Sequence, residues 1–290
     1  MDAPVTASSA SLADVVAALE RRYPPGTAEP WDAVGLVVGD PVDEVRRVLL
    51  AVDPVAAVLD EAREWGADLV VTHHPLLLRG VHSVAATSFK GALVHGLVRS
   101  GIALYAAHTN ADAARGGVAD ALAEAIGVVD TVPLVAGADE STGIGRVGRL
   151  AEPTTLAAFA ERVAAAVPAT AQGVRFAGDP GGLVERVAVV GGSGDSLFDD
   201  VCAAGVDAYV TADLRHHPAS ELRERAEFED GRPYLVDLAH FASEWPWLEH
   251  AARALEHDLA ARGTTVETRV STVRTDPWTG RAENPSEGHP

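Results

Sequence analysis

The chain has 290 residues, 23 Lys plus Arg against 42 Asp plus Glu, a formal net charge of −19, 47% hydrophobic residues and one cysteine, Cys202. That apolar share is too high for a disordered chain. A single cysteine excludes an intrachain disulfide framework and a thiolate zinc cluster, and the acidic balance argues against long nucleic acid, whose backbone attracts basic faces.

At roughly 150 residues per domain, the length suggests about two domains. The N-terminus has no basic segment followed by an apolar core, so no signal peptide is expected. No stretch reaches the roughly 18 consecutive apolar residues of a membrane span; the best, Val48 to Leu59, is broken by Asp53 and Pro54. The expectation is a soluble, cytoplasmic protein without membrane contact.

Ser11 opens a helical pattern that runs to about Arg22 and is stopped by Pro24, Pro25 and Gly26. WDAVGLVVGD, from Trp31, reads as a Gly-punctuated turn and short strand. VRRVLLAVD is a buried strand ending at Asp53, followed by a helix to Gly66. ADLVVTHH is a strand with a polar end. Lys90 to Ser100 is a helix capped by Gly101, IALYAAHTN is another strand, and Gly117 to Ile126 is a helix closed by Gly127. Val128 to Gly148, Gly-rich and holding Pro133, reads as an irregular linker.

Beyond it, Thr154 to Val167 is an amphipathic helix, and Val187 to Val190 is a strand ending in GGSGD. Leu197 to Ala204 is a helix before Gly205. DAYVTADLRHH is a strand followed by a helix from Pro218 to about Phe228. YLVDLAHFASEW is a strand leading into a long helix to about Arg262. Strand and helix alternate throughout, which indicates α/β layers with largely parallel pairing. The expected division is a first α/β domain over 1–130, a second over 131–275 and a flexible tail over 276–290. GADLVVTHHP resembles GVDAYVTADLRHHP, an echo that fits two similar halves from a duplication, although parallel strands also resemble one another for simpler reasons.

Six of the eleven histidines, His73, His74, His108, His216, His217 and His240, fall at or just past strand ends. Ligand sites in open α/β sheets form there. His108 and Asp112 sit in HTNAD, and His240 and Glu244 in HFASE. Residues four apart on a helix share a face. Imidazole with carboxylate suits Zn, Fe, Mn or Co better than Ca or Mg. Each pair alone is better explained by an ordinary helix start; four strand ends delivering imidazole and carboxylate together favour a metal centre. A two-metal hydrolytic site needs a bridging carboxylate, for which Asp112 and Glu244 are the candidates. GGSGD reads better as a tight strand-to-helix turn than as an anion site. Arg146 and Arg149 read as solvated loop residues, although they could meet phosphates. Trp245 and Trp247 read as packing residues that could also wall a pocket.

WDAVGLVVGDP, VTHHP, HTNADAA, GIGRVGRL, VTADLRHH and DLAHFASEW, in this order, resemble the NIF3-like dinuclear metal-centre family, the GTP cyclohydrolase 1 type 2 homologues. The resemblance spans about Trp31 to Trp278. It implies two related α/β domains with two divalent transition metals between them, and a toroidal homohexamer with sites facing an internal cavity. By motif, His73 and His74 would each bind one ion, Asp112 would be a ligand, and His240 and Glu244 would complete the set with Glu244 bridging. His108 would orient water or substrate, and is the candidate for moving a proton in catalysis. Ala33, Ala212 and Ala239 depart from the family pattern at turns, not at ligands. The implied function is a metal-dependent hydrolase, in which activated water attacks a purine C8 or a phosphoester. A small-molecule or nucleotide substrate is expected. A non-catalytic metal-binding or regulatory assembly is the alternative.

Overall fold

The computed structural model describes residues 8–137, 139 and 141–282. In chain order the elements are β1 (Ser8–Ser11), α1 (Leu12–Arg22), β2 (Gly35–Val38), β3 (Glu44–Val45), β4 (Arg47–Ala51), α2 (Ala56–Trp65), β5 (Leu69–Thr72), α3 (Phe89–Ser100), β6 (Ala103–Ala106), α4 (Thr109–Ala113) and α5 (Val118–Ala125). Then follow β7 (Val128–Ala136), β8 (Gly143–Thr155), α6 (Leu156–Ala166), β9 (Arg175–Ala177), β10 (Leu183–Ser193), α7 (Phe198–Ala204), β11 (Ala208–Ala212), α8 (His216–Phe228), β12 (Tyr234–Leu238), α9 (His240–Glu244), α10 (Pro246–Ala260), β13 (Thr264–Thr265) and β14 (Glu267–Val270).

Local chemistry sets many of these boundaries. The Ser11 hydroxyl accepts from Asp14 N and the Asp14 carboxylate accepts from Ser11 N, a reciprocal cap at the start of α1. Gly66, Gly101 and Gly205 end α2, α3 and α7 in the left-handed region, where a Cβ would be strained. Strands β5, β6, β11 and β12 are buried along their whole length, which is why they read as unbroken apolar runs.

Two main sheets result. The first runs β14-β4-β5-β6-β2, with β14, β4, β5 and β6 parallel and β2 antiparallel at the edge. The second runs β7-β8-β10-β11-β12-β9, with β10, β11 and β12 parallel. A small sheet, β13-β1-β3, closes one side. Helices α2 and α3 cover one face of the first sheet, and α7 and α8 one face of the second. The inner faces share α5: Val118 and Ala121 pack in the first core with α1 and α10, while Leu122 and Ile126 pack in the second with α6.

The halves are related in detail. In each, three parallel strands joined by helices carry an antiparallel edge strand beyond the third. Asp68 accepts from Arg46 N (2.7 Å) and Arg47 N (2.9 Å), and Asp207 accepts from Glu185 N (2.9 Å) and Arg186 N (2.8 Å). Both aspartates stand two residues past a left-handed glycine cap, so the sequence echo extends to hydrogen bonds.

Three expectations change. Residues 128–148 are not an irregular linker but most of the antiparallel pair β7 and β8. Sheet membership also departs from the division at 131–275: after residue 245 the chain returns to the first half. The apolar side of α10, through Trp247, Leu248, Ala251 and Leu255, packs in the first core, and β14 pairs with β4. The expected tail begins with structure, since Asp276 is buried; residues 283–290 of it lie outside the described residues. No helix among the described residues is long and apolar enough to cross a membrane.

Candidate metal centre

The carboxyl ends of the two sheets face each other, and five side chains meet between them. His73 and His74 follow β5, Asp112 lies on α4 just past β6, and His240 and Glu244 are one helical turn apart on α9 just past β12. Glu244 is almost fully buried. Its Oε1 lies 2.8 Å from His240 Nε2 and 3.3 Å from His73 Nε2, and its Oε2 lies 3.2 Å from His74 Nε2. Asp112 Oδ1 is 3.8 Å from His73 Nε2. His74 Nε2 and His240 Nε2 are 3.2 Å apart across the sheets.

Every histidine here is held by its other ring nitrogen. His73 Nδ1 donates to Ala107 O (2.9 Å), His74 Nδ1 to Asp53 (2.7 Å), His108 Nδ1 to Asp32 (2.9 Å) and His240 Nδ1 to Asp213 (2.6 Å). Carbonyl and carboxylate oxygens have no proton to give, so each Nδ1 carries the hydrogen. Each Nε2 is then left free to meet a ligand, an arrangement that fixes tautomer and ring orientation around metals. The Nε2 side of His73 and Glu244 Oε2 are buried without a hydrogen bond. Orphaned buried polar atoms of this kind are rare and call for an ion or water. The donor set therefore fits a transition metal. His73, His74 and His108 form one group with ligand atoms within 4.8 Å of one another, and His74, His240 and Glu244 form another.

The electrostatics follow from this crowding. Burial opposes charge on His74, but Glu244 and the bonds to Asp53 and Glu244 outweigh it and push the imidazole up to about 11. The same balance, with Glu244 and Asp213, brings His240 to about 10 and raises His73. Burial favours neutral Glu244, yet His74, His73 and His240 together hold its carboxyl well below the usual range. Desolvation pushes Asp112 up to about 6. Burial and the neighbouring charge of His73 lower His108, so it is neutral at neutral pH.

Several positioning residues carried no motif of their own. Asp32, its side chain fully buried, accepts from Ala33 N (2.7 Å), Thr109 N (3.0 Å) and Thr109 Oγ1 (2.5 Å) besides His108. This pins the loop that carries Trp31, 58% exposed, edge-on to His108. Asp213 takes the left-handed backbone region, φ 54°, while holding His240; such strain in a non-glycine residue clusters at functional sites.

GGSGD is a tight strand-to-helix turn, as expected, but shifted: Gly191 to Ser193 complete β10, and the turn toward α7 falls at Gly194 and Asp195. Gly192 has φ +68°, and a Cβ there would lie 2.8 Å from Glu244 Oε1 and 3.3 Å from His240 Nε2. Its N–H donates to Ser243 Oγ (2.8 Å), which in turn donates to His240 O (2.7 Å). Ala239 and Ala212 accommodate their turns without strain: Ala239 has φ −70° and Ala212 continues β11.

Other candidates lie elsewhere. His216 and His217 begin α8, paired with each other, and His216 lines a separate cavity beside Arg175 and Asp237. Arg146 is buried and bonds Asp120, Ala114 O, Gly143 O and Gly145 O, while Arg149 pairs with Asp130. Trp247 is packing, wedged between Tyr23 and His73. The centre opens into a cavity of about 460 Å³ lined by Trp31, His108, Asp112, Gly192, Ser193, Ser196, His240 and Glu244.

Fold and centre together define an α/β protein of two related sheets whose joint presents His and carboxylate groups able to hold metal. The sequence model described as Duf34/NIF3 (NGG1p interacting factor 3) matches residues 10–277. A Streptomyces coelicolor protein called GTP cyclohydrolase 1 type 2 homolog is 53% identical, over 92% of this chain and 93% of its own length. A Mycobacterium bovis protein of the same name is 38% identical over 377 aligned positions, covering 93% of this chain and 97% of its own; that span exceeds this whole chain, so the relative carries residues this one lacks. A solved Staphylococcus aureus hypothetical protein superposes with TM-score 0.85 at 27% identity, over 94% of this chain and 99% of its own. This chain belongs to the Duf34/NIF3 family.

Proposed function

We propose that the chain holds two divalent transition metal ions at the joint and is a metal-dependent hydrolase. The observation that carries this reading is that His73, His74 and His240, each locked through Nδ1, turn Nε2 toward the Glu244 carboxylate, with His108, locked the same way, beside His73 and His74. His73 and His74 would each hold one ion, Asp112 and His240 would complete the sets, and Glu244, with one oxygen toward His74 and the other toward His73 and His240, would bridge. Bound ions of this kind lower the pKa of water and polarise an electrophile.

The chain's own residues supply the rest. Asp32 keeps the hydrogen of His108 on Nδ1, so Nε2 can take a proton from an attacking water and return it to a leaving group. Trp31 presents a flat apolar wall at the mouth. A cavity of about 460 Å³ falls in the range that takes small ligands. The relatives' printed names favour a cyclohydrolase-type reaction, in which water adds to the imidazole ring of a purine nucleotide at C8; a phosphoester is the chemically equal alternative.

Assembly as a homohexamer belongs to the same proposal. Light scattering should give about 180 kDa, six times the 30.1 kDa chain. The decisive test of function is turnover by metal-loaded protein against GTP, phosphomonoesters, phosphodiesters and short peptides. Turnover of one class, abolished by chelation, supports the hydrolase; full metal content with no turnover of any would favour a non-catalytic metal-binding role.

A further inference from the structure

Two cavities adjoin the centre, of about 460 Å³ and about 310 Å³, and they are lined alike. Glu29, Asp112 and Glu244 line the first, and Asp53, Asp213 and Asp276 the second. Each also holds one tryptophan, Trp31 or Trp278. Neither is lined by a lysine or an arginine, although every Lys and Arg of the chain lies within the described residues. Guanidinium groups line other cavities instead: Arg175 and Arg223 share one, Arg149 and Arg186 another, and Arg274 borders a third. Arginines from the segments around the centre are engaged elsewhere, Arg146 with Asp120 and Arg215 with Asp195. A substrate therefore meets carboxylates and one flat apolar wall, whichever cavity it occupies.

We propose that the centre takes a small phosphoester with a single phosphoryl group, and rejects nucleoside polyphosphates. The inference rests on the metal-binding hydrolase reading above and chooses between its two substrate classes. A pair of divalent ions seats one phosphoryl group. Any further phosphate would lie against the carboxylates, without the Arg or Lys partners that usually hold phosphate oxygens. A reaction at a purine ring sharpens the conflict: with the ring beside the ions, all the phosphates of a triphosphate lie away from them. A chain of net charge −19 also repels polyanions at a distance, and clefts lined by one sign of charge focus that field.

The test is equilibrium dialysis of the cobalt-loaded full chain against GMP, GDP and GTP, which share one base and differ in phosphate number. Cobalt content is measured before and after, so that ions lost to the nucleotide are told apart from binding. A chain that takes up no cobalt ends the metal-binding reading, and the substrate class with it. Affinity should fall about tenfold with each added phosphate, roughly the cost of one like-charge contact at a protein surface. Added salt should raise the affinity for GTP, because it screens repulsion; a site built on Arg or Lys would show the opposite. Glu29→Lys and Trp278→Arg replace exposed side chains and place a cation in one cavity or the other. The variant whose cavity holds the nucleotide should bind GTP about tenfold more tightly than the parent, with unchanged cobalt content. Phosphate release should follow the same order, with GMP the best of the three. GTP bound as tightly as GMP, a GTP affinity that falls with salt, or no gain in either variant would overturn the inference. Binding in the expected order with no turnover of any ester would end the hydrolase reading and leave the ligand class standing.

Discussion

His74 Nε2 and His240 Nε2 lie 3.2 Å apart although they come from different sheets and from positions 166 residues apart in the chain. Two lone pairs at that separation repel, and so do two imidazolium ions. The contact is stable only with a proton or a metal cation among these nitrogens and the Glu244 carboxylate. The joint between the two halves is therefore also the place where charge must be neutralised.

Without metal, that neutralisation comes from protons, and stability should depend on pH accordingly. The folded chain holds His240 near 10 and His74 near 11, above the unfolded value of about 6.5. Their contribution is fully present below about pH 6.5 and is lost as pH rises toward those folded values. Metal-free protein should thus lose melting temperature between about pH 7 and pH 10. Metal affinity should rise over the same window, because the ions compete with those protons. Melting curves with and without Zn²⁺ across this range provide the check; a metal-free melting temperature that climbs with pH would contradict the charge balance described for the joint.

Glu244→Ala should lose more metal than His73→Ala or His74→Ala alone. The carboxylate turns one oxygen toward His74 and the other toward His73 and His240, so its removal reaches both proposed ions, whereas each histidine serves one. Elemental analysis of the three variants after reconstitution decides it. Normal metal content in Glu244→Ala would remove it as the bridge.

His108→Ala should keep most metal and lose turnover by about 10²- to 10⁴-fold, the usual cost of deleting a general acid or base. Asp32→Asn should move in the same direction, because an amide can donate to Nδ1 and so shift the hydrogen to Nε2. Metal content and rate measured on the same samples separate the roles. Loss of metal together with turnover in His108→Ala would make His108 a ligand, as its proximity to His73 and His74 permits.

The parallel strands and the imidazole and carboxylate donors were legible in the sequence because they are local signals: buried apolar runs, left-handed glycine caps and polar residues at strand ends. The hairpin of β7 and β8 was not. Its glycines and Pro133 read as breakers, yet Gly143 is required there because a Cβ would lie 2.1 Å from Val135 O on the neighbouring strand. The return of β14 to β4 is a long-range pairing with no local pattern. Asp32, Asp53 and Asp213 went unassigned for a related reason: they lie 76, 21 and 27 residues from the histidines they orient. The one available hint was that Asp53 ends an apolar strand parallel to the one that delivers His74.

Arg146→Met should destabilise the chain by about 3–5 kcal/mol, the usual cost of breaking a buried ion pair by removing one partner. It would strip Asp120 of its guanidinium and take a donor from each of three carbonyls, of Ala114, Gly143 and Gly145. These contacts tie β8 of the second sheet to the segment between α4 and α5. Denaturant unfolding of the metal-free variant measures the effect apart from metal binding; a loss below about 1 kcal/mol would show that the guanidinium is not a structural tie.

The most direct measurement is the number of ions the chain holds. Chelator-stripped protein, incubated in turn with Zn, Fe, Mn and Co and freed of excess, is assayed for metal and protein together. The free Nε2 face of His73, His74 and His240, with Glu244 between them and Asp112 beside His73, predicts about two divalent ions per chain at saturation. Protein that stays empty with all four metals would contradict it.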